Sequence, residues 1–371
     1  MQSIVYVGMD VHKSTFSLCA LNGETGEILG ETQCASDPKL VVKFIDHLSD
    51  ESEPGTAFKA GYEAGCLGYA LRNALVRLGI DCVIMAPTTM YSQAKHTMVK
   101  NDKVDARMIA TNLANHTYAE VYVPDNQDIE VKEYIRMRND FCSALKRVKQ
   151  QLSSLLLRQG FHYVEGSAWT EKHLKWIKGL KVSPLLRTTI DEYVAQLEEF
   201  AEKIKRFDQE LDEIAHNDRY AEKVGELQCF KGIATTAAIT LQVEIADFTR
   251  FPNARAFMNF IGMTPSDHSS GEHPNNKGGI TKQGNTAVRT LLIECTRSLV
   301  QGHVGSKSKR VTRRQVNQST RVIAYADRGT EHLQRKYQRM VARGKNSCVA
   351  TAAVARELAG FVWGMETGHL D

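Results

Sequence analysis

With 371 residues the chain is long enough for two or three domains, each with a core of its own. Hydrophobic residues at 42% and charged residues at 24% exclude a disordered or fibrous protein. No apolar run approaches the ~20 residues of a membrane span, and no basic leader precedes an apolar stretch, so neither a membrane protein nor a signal peptide is expected. Eight cysteines (Cys19, Cys34, Cys66, Cys82, Cys142, Cys229, Cys295 and Cys348) are scattered without a CxxC pair. They read as reduced thiols in a cytoplasmic protein, neither a disulfide frame nor a zinc site.

The net charge of +4 is unevenly spread. Residues 190–228 hold 12 acids against 5 bases, whereas residues 277–346 hold 16 lysines or arginines against 3 acids. A basic segment of that density points to a polyanion, most simply nucleic acid; a solvated charged face is the plainer reading. The candidate contacts are Lys277, Lys282, Arg289, Lys307, Lys309, Arg310, Arg313 and Arg314.

In chain order, Ile4–Asp10 reads as a short apolar strand that stops at a carboxylate, Asp10. Thr15–Leu21 is a second strand, NGETG supplies a turn, and Glu27–Thr32 is a third. Asp37 caps a helix predicted over Pro38–Leu48, and ESEPG is a loop. Thr56–Tyr62 is a fourth strand, followed directly by Glu63. A helix over Leu67–Leu78 is stopped by Gly79, and Ile80–Met85 is a buried strand. A further helix enters at Asn101-Asp102 and runs through Leu113. The order βββαβαβα is that of an RNase H-like fold, a mixed sheet covered by helices.

In such a fold Asp10 and Glu63 end neighbouring strands. Asp102 and Asp105, three apart, share one face at a helix start, where the helix dipole favours carboxylates. Four hard oxygen donors at one point suit Mg²⁺ or Mn²⁺. Two such ions, about 3.5–4 Å apart, can clamp the attacking and leaving oxygens of a phosphodiester displacement. Each acid taken singly reads as a turn, cap or dipole residue; the four together with the strand order point to a metal site.

Residues 126–158 are helical, with Tyr134, Phe141, Leu145, Val148, Leu152 and Leu155 forming a heptad seam. Ser183-Pro184 opens a second long helix, carrying Ile190, Val194, Leu197, Ala201, Ile204, Leu211 and Ile214. These seams suit an antiparallel hairpin, a dimerising coiled coil or a bundle core. Gln159–Val182 between them resists assignment. Residues 227–238 read as helix, tight turn, helix; the small residues of that turn suit either a phosphate or close helix packing. Residues 266–285 are predicted as a long loop rich in hydroxyls, glycines and amides. Within it Ser270, beside Gly271, has the chemistry of a nucleophile if its proton is removed, or is simply part of a flexible loop. His268 and His273 lack a second pair at zinc spacing. Val304–Arg314 is predicted as a basic loop, with helices over Arg321–Arg343 and Cys348–Trp363.

GMDVHK around Asp10, YEAG around Glu63, KNDKVDARMIA around Asp102 and Asp105, FMNFIGMTPSDHSSG and GGITKQGNTAVRTLL together resemble the DEDD-type insertion-sequence transposases. These are bridge-RNA-guided recombinases, related to the pilin-gene inverting recombinases. The resemblance covers nearly the whole chain and is weakest over Gln159–Val182. It implies three parts: a RuvC-like (RNase H-like) α/β domain at 1–125, a helical coiled-coil segment at 126–222, and a mainly α transposase domain at 223–371. It implies that Asp10, Glu63, Asp102 and Asp105 hold Mg²⁺, with Mn²⁺ as the other candidate, and that Ser270 becomes covalently joined to DNA. The partners it implies are donor and target DNA, a structured guide RNA and further copies of the chain, as a dimer or tetramer, in a prokaryotic, nucleoid-associated setting. One departure is visible: the turn that commonly reads PGIG in relatives is Lys231-Gly232-Ile233-Ala234 here. Two other functions compete. One is a metal-dependent endonuclease or junction resolvase that uses the acids and water; the other is a nucleic-acid-binding protein without catalysis.

Overall fold

The computed structural model describes residues 3–91, 101–267 and 277–371. They divide into two compact units, Met1–Val123 and Pro124–Asp371.

The first unit is built on β1 (Ile4–Val11), β2 (Thr15–Asn22), β3 (Ile28–Ala35), β4 (Ala57–Glu63) and β5 (Asp81–Met85), in sheet order β3-β2-β1-β4-β5. β1 runs antiparallel to β2 and parallel to β4, which is itself parallel to β5. Alternation along β1 serves two cores. Val5, Val7 and Met9 join Val41, Ile45, Leu71 and Leu75, contributed by α1 (Pro38–Asp50) and α2 (Ala70–Arg77). Tyr6 packs on the other face with Ile109 and Leu113 of α3 (Asp102–Ala114). Asp37 caps α1 as expected, its side chain accepting from Lys39 N. The helix foreseen from Leu67 begins only at Ala70: Gly68 adopts φ +52°, outside the right-handed helical region, its N–H donates to Gly65 O, and its carbonyl accepts from the Tyr62 hydroxyl.

Gly8 fixes how closely α3 approaches the sheet. A Cβ at this position would lie 2.2 Å from Ala110 N and 2.4 Å from Ala106 O. Its register partner on β4 is Gly61, whose Cβ would meet both δ-carbons of Leu113 at 3.2 Å. Two adjacent bare positions thus make a flat bed on which the helix backbone rests.

The second unit begins with α4 (Asn126–Arg158) and α6 (Pro184–Ala215). They run antiparallel: Tyr134 and Phe141 set their edges against Phe207, while Leu152 and Leu155 meet Ile190 and Val194. Both seams are therefore filled within one chain. The stretch that resisted assignment contains α5 (Glu171–Lys178), capped by Thr170 and anchored by Ile177. At the root of the hairpin, Val131, Ile135 and Leu211 enter a core shared with residues of α7 (Ala221–Leu227), α8 (Thr235–Ile245) and α9 (Ala254–Phe260).

The segment predicted as one long loop is bounded by two strands, β6 (Pro265–Asp267) and β7 (Lys277–Ile280), paired antiparallel. Then come α10 (Thr286–Leu299), α11 (Lys309–Arg314), α12 (Thr320–Ala342) and α13 (Ser347–Glu366). α11 replaces part of the expected basic loop: Ser308 caps it, and Val311, 3% exposed, anchors it among charged neighbours. α13 corrects another expectation. By length and hydropathy it is able to cross a membrane, yet half of that stretch is buried inside this unit. All eight cysteines are free thiols.

Candidate metal centre and nucleic-acid interface

The end of β1 carries two polar side chains on one face, those of Asp10 and, one residue past the strand, His12. Gly8, Asp10 and His12 are spaced by two, so they share the side of the strand covered by α3. α3 starts at Asp102, capped by the Asn101 side chain, which accepts from Lys103 N at 3.1 Å. Its close seat on Gly8 carries its acidic first turn to Asp10. The result is a cluster in which ligand atoms of Asp10, His12 and Asp102 lie within 4.8 Å of one another. His12 Nε2 is 3.2 Å from Asp10 Oδ2 and 3.9 Å from Asp102 Oδ1.

Electrostatics at this point favours an added cation. Burial pushes the Asp10 carboxyl above its ordinary range; His12 pulls it down, and the neighbouring carboxylates of Asp105 and Asp102 push it further up. Crowded carboxylates with an imidazole are a donor set that fits a hard or borderline divalent ion. Asp105, one residue before the buried Ala106, acts on Asp10 through its charge. Glu63 is exposed at the end of β4. Met9 pairs with Tyr62, so Asp10 and Glu63 are the next residues along parallel neighbours. Glu63 also lies two residues beyond Gly61 and so shares the α3 face. Asp105 and Glu63 stand outside the three-residue cluster.

His12 escaped the reading of the sequence. Its signal was present: a strand that continues one residue past Asp10 puts position 12 on the same face.

Ser270 lies outside the described residues. What holds the flanks of its segment is clear. Gly262 and Gly284 both have positive φ, and a Cβ on them would fall 2.0 Å from Gln283 O and 1.9 Å from Phe260 O. The strap after β7 is therefore pressed onto the end of α9. Behind it sits a buried ion pair: Lys132 Nζ is 3.0 Å from Glu244 Oε2, with the side chains 9% and 8% exposed. Asn285 donates to the same Glu244 oxygen at 2.9 Å and caps α10 by accepting from Val288 N.

The eight basic candidates separate by environment. Arg289 is buried and donates to Ile261 O and Thr286 Oγ1, each at 2.9 Å, so its guanidinium works inside the fold. Arg314 is partly buried and donates to Ile233 O. Lys307 pairs with Asp327. Lys277 opens β7, and Lys282 is exposed, with φ +58°. Lys309, Arg310 and Arg313 are exposed on α11 and form no ion pair with any described residue. The turn at Gly232, for which a phosphate was one option, is used for packing. Its φ is +96°, and a Cβ there would lie 2.3 Å from Cys295 O.

Comparison with known proteins agrees in both units. Residues 225–312 match the profile described as Transposase IS116/IS110/IS902 family. Residues 7–161 match a second profile, described as Transposase, of the DEDD IS110 type, which implies an RNase H-like fold for the five-stranded unit. The chain is 30% identical over 360 residues to the transposase for insertion sequence element IS1533 of Leptospira borgpetersenii, spanning 93% of this chain and 99% of that one. It is 31% identical over 360 residues to the y4qE protein of Sinorhizobium fredii, spanning 96% and 87%. Against the transposase for insertion sequence element IS1111A of Coxiella burnetii it is 24% identical over 316 residues, spanning 83% and 81%.

Proposed function

Since the chain belongs to the IS116/IS110/IS902 family of transposases, we propose that it cuts and rejoins DNA strands through Ser270, assisted by an acidic divalent-metal site. The observation that carries this reading is the convergence of Asp10 and Asp102, with the charge of Asp105, at the end of β1.

Asp10 and Asp102 would hold the ion, with Asp105 and Glu63 completing its acidic surroundings and His12 within reach of both carboxylates. When bound, Mg²⁺ or Mn²⁺ supplies Lewis-acid stabilisation of charge on the phosphate oxygens. The serine oxygen attacks phosphorus, its proton leaves to a base, and the bond to the 3′ oxygen breaks as that oxygen takes up a proton from solvent or the same base. The product is a phosphoserine ester and a free 3′ hydroxyl. Attack by a 3′ hydroxyl on that ester reverses the step and joins a new pair of strands without ATP.

The labour divides along the segments read from the sequence. Residues 1–125 hold the metal, 126–222 form the helical hairpin whose seams close within one chain, 223–371 carry the serine and the basic surface, and further copies of the chain join as a dimer or tetramer. Lys309, Arg310 and Arg313, with Lys282 and Lys277, contact phosphates; Lys307, Arg289 and Arg314 hold the surface in shape. Donor and target DNA are chosen by pairing with a structured guide RNA, the protein reading backbone and shape.

Adduct trapping tests this. The full chain is expressed with its native flanking DNA, supplied with Mg²⁺ and a plasmid carrying the element junction, then denatured. Protein covalently attached to DNA is expected, and it should be lost in both Ser270→Ala and Asp102→Asn. Nicking without an adduct, equal in Ser270→Ala, would show that the acids act with water alone.

A further inference from the structure

Behind α11 the second unit encloses a cavity of about 230 Å³. Its polar lining comes from Lys231, Ser306, Lys307, Asp327, Thr330 and Glu331, and its apolar wall from Cys229 and Val311. Among the described residues, one cation of that lining lacks a carboxylate partner. Lys231 donates one proton to Gln301 O at 2.6 Å, but no described carboxylate lies within ion-pair distance of it. A partly buried cation without a counter-ion is a group that a ligand satisfies.

The rest of the lining says which ligand. Asp327 already takes Lys307 and the Gln315 amide, and Glu331 takes Arg335, yet each carboxylate keeps lone pairs. A phosphate entering here would meet two carboxylates. A neutral planar molecule with an acceptor edge and a donor edge meets no repulsion. Guanine has that pattern: O6 and N7 accept from an ammonium, while N1–H and the 2-amino group donate to carboxylate. Adenine lacks the paired donors. The cavity has room for one base.

Position supports the same ligand. Val311, which forms the apolar wall, belongs to α11, the helix whose solvent side carries Lys309, Arg310 and Arg313. A strand held by its phosphates on that helix has one nucleotide within reach of the cavity behind it. We propose that this cavity receives a single unpaired guanine, turned out of a bound nucleic-acid strand, with Lys231 on its acceptor edge and Asp327 and Glu331 on its donor edge. The assignment rests on the nucleic-acid reading given above. Its source is either a loop of the guide RNA or a displaced DNA strand.

The test is fluorescence anisotropy with the full chain and labelled nine-nucleotide strands. Oligothymidine is compared with the same strand bearing one central guanine, inosine or 7-deazaguanine, and a ribonucleotide series repeats the comparison. Guanine should bind about tenfold tighter than thymine, within the range of one base-edge contact. Inosine, without the 2-amino group, and 7-deazaguanine, without N7, should each lose most of that preference. Lys231→Met should bring the guanine-to-thymine ratio to one; should that variant not fold, the base analogues on the wild-type protein decide. A stronger preference in the ribose series assigns the guanine to RNA, and in the deoxyribose series to DNA. Equal binding of guanine and thymine overturns the pocket and leaves the nucleic-acid reading standing. Absence of binding to every strand overturns both.

Discussion

The imidazole of His12 stands 3.2 Å from the carboxylate of Asp10, on the same face of the strand. It adds a nitrogen donor to what the sequence presents as an all-oxygen site, and imidazole suits Mn²⁺ better than Mg²⁺. Either ion should raise the unfolding temperature, and a chelator should reverse the rise. At a hundredfold excess over Kd the stabilisation amounts to about 2.7 kcal/mol. Asp10→Asn and Asp102→Asn should abolish the shift, and His12→Ala should weaken the Mn²⁺ response more than the Mg²⁺ response. Thermal denaturation with each ion measures this. An undiminished shift in both aspartate variants would remove metal binding from this site.

Gly8→Ala should be among the most damaging small substitutions in the first unit. The added methyl would lie 2.2 Å from Ala110 N, and a helix backbone has no rotamer by which to move aside. Overpacking of this kind costs about 1–3 kcal/mol or more. Displacing α3 also draws Asp102 away from Asp10, so metal response should fall further than stability alone explains. Urea unfolding with and without Mn²⁺ separates the two effects. A variant with wild-type stability would show that α3 sits less tightly than described.

Lys132→Met leaves Glu244 charged, buried and without its cation. Breaking a buried pair from one side costs about 3–5 kcal/mol. The double variant Lys132→Met with Glu244→Leu should recover much of that loss, though Asn285 then lacks an acceptor. A double-mutant cycle measured by denaturant unfolding gives the coupling. Additive losses would mean that the pair does not act as a unit.

Glu366 makes stability depend on pH. Burial pushes its carboxyl from 4.5 up to about 8, although Lys223 and a hydrogen bond from Gln242 pull it down. The folded chain therefore keeps a proton that the unfolded chain releases near 4.5. Stability from this group is greatest below that pH and falls as pH rises toward 8. Glu366→Gln, which cannot ionise, should show a shallower decline between pH 5 and 8. Parallel stability curves for the two proteins would contradict the assignment.

Much of the first unit was legible because its signals are local. Asp37 announces α1, the alternation of Val5, Val7 and Met9 announces a buried strand, and NGETG turns the chain between β2 and β3. The approach of Asp102 to Asp10 was legible only as topology; what sets it is Gly8, and a glycine inside a strand does not say which helix needs the space. In the second unit, the 159–182 stretch hid α5 because its apolar residues, Ile177 among them, serve the inside of the hairpin tip and show no long period. α11 was hidden by composition, since a single buried valine anchors six residues that otherwise read as a basic loop. The fate of Arg289 was also invisible. Charge density along a sequence does not distinguish a guanidinium facing solvent from one bound to a carbonyl beneath it.

The continuity of the first unit has a consequence for how the protein is made. Residues 1–123 form a compact body whose sheet, among the described residues, takes no strand from later in the chain. Translation therefore delivers it before the second unit, and domains made first can fold first. Asp10, Glu63, Asp102 and Asp105 are all in that portion, whereas residue 270 is synthesised more than a hundred residues later. A ribosome that stalls or a message that is cut in between releases the acids without the serine. On the proposed mechanism, such a fragment would gather metal yet lack the serine that joins DNA.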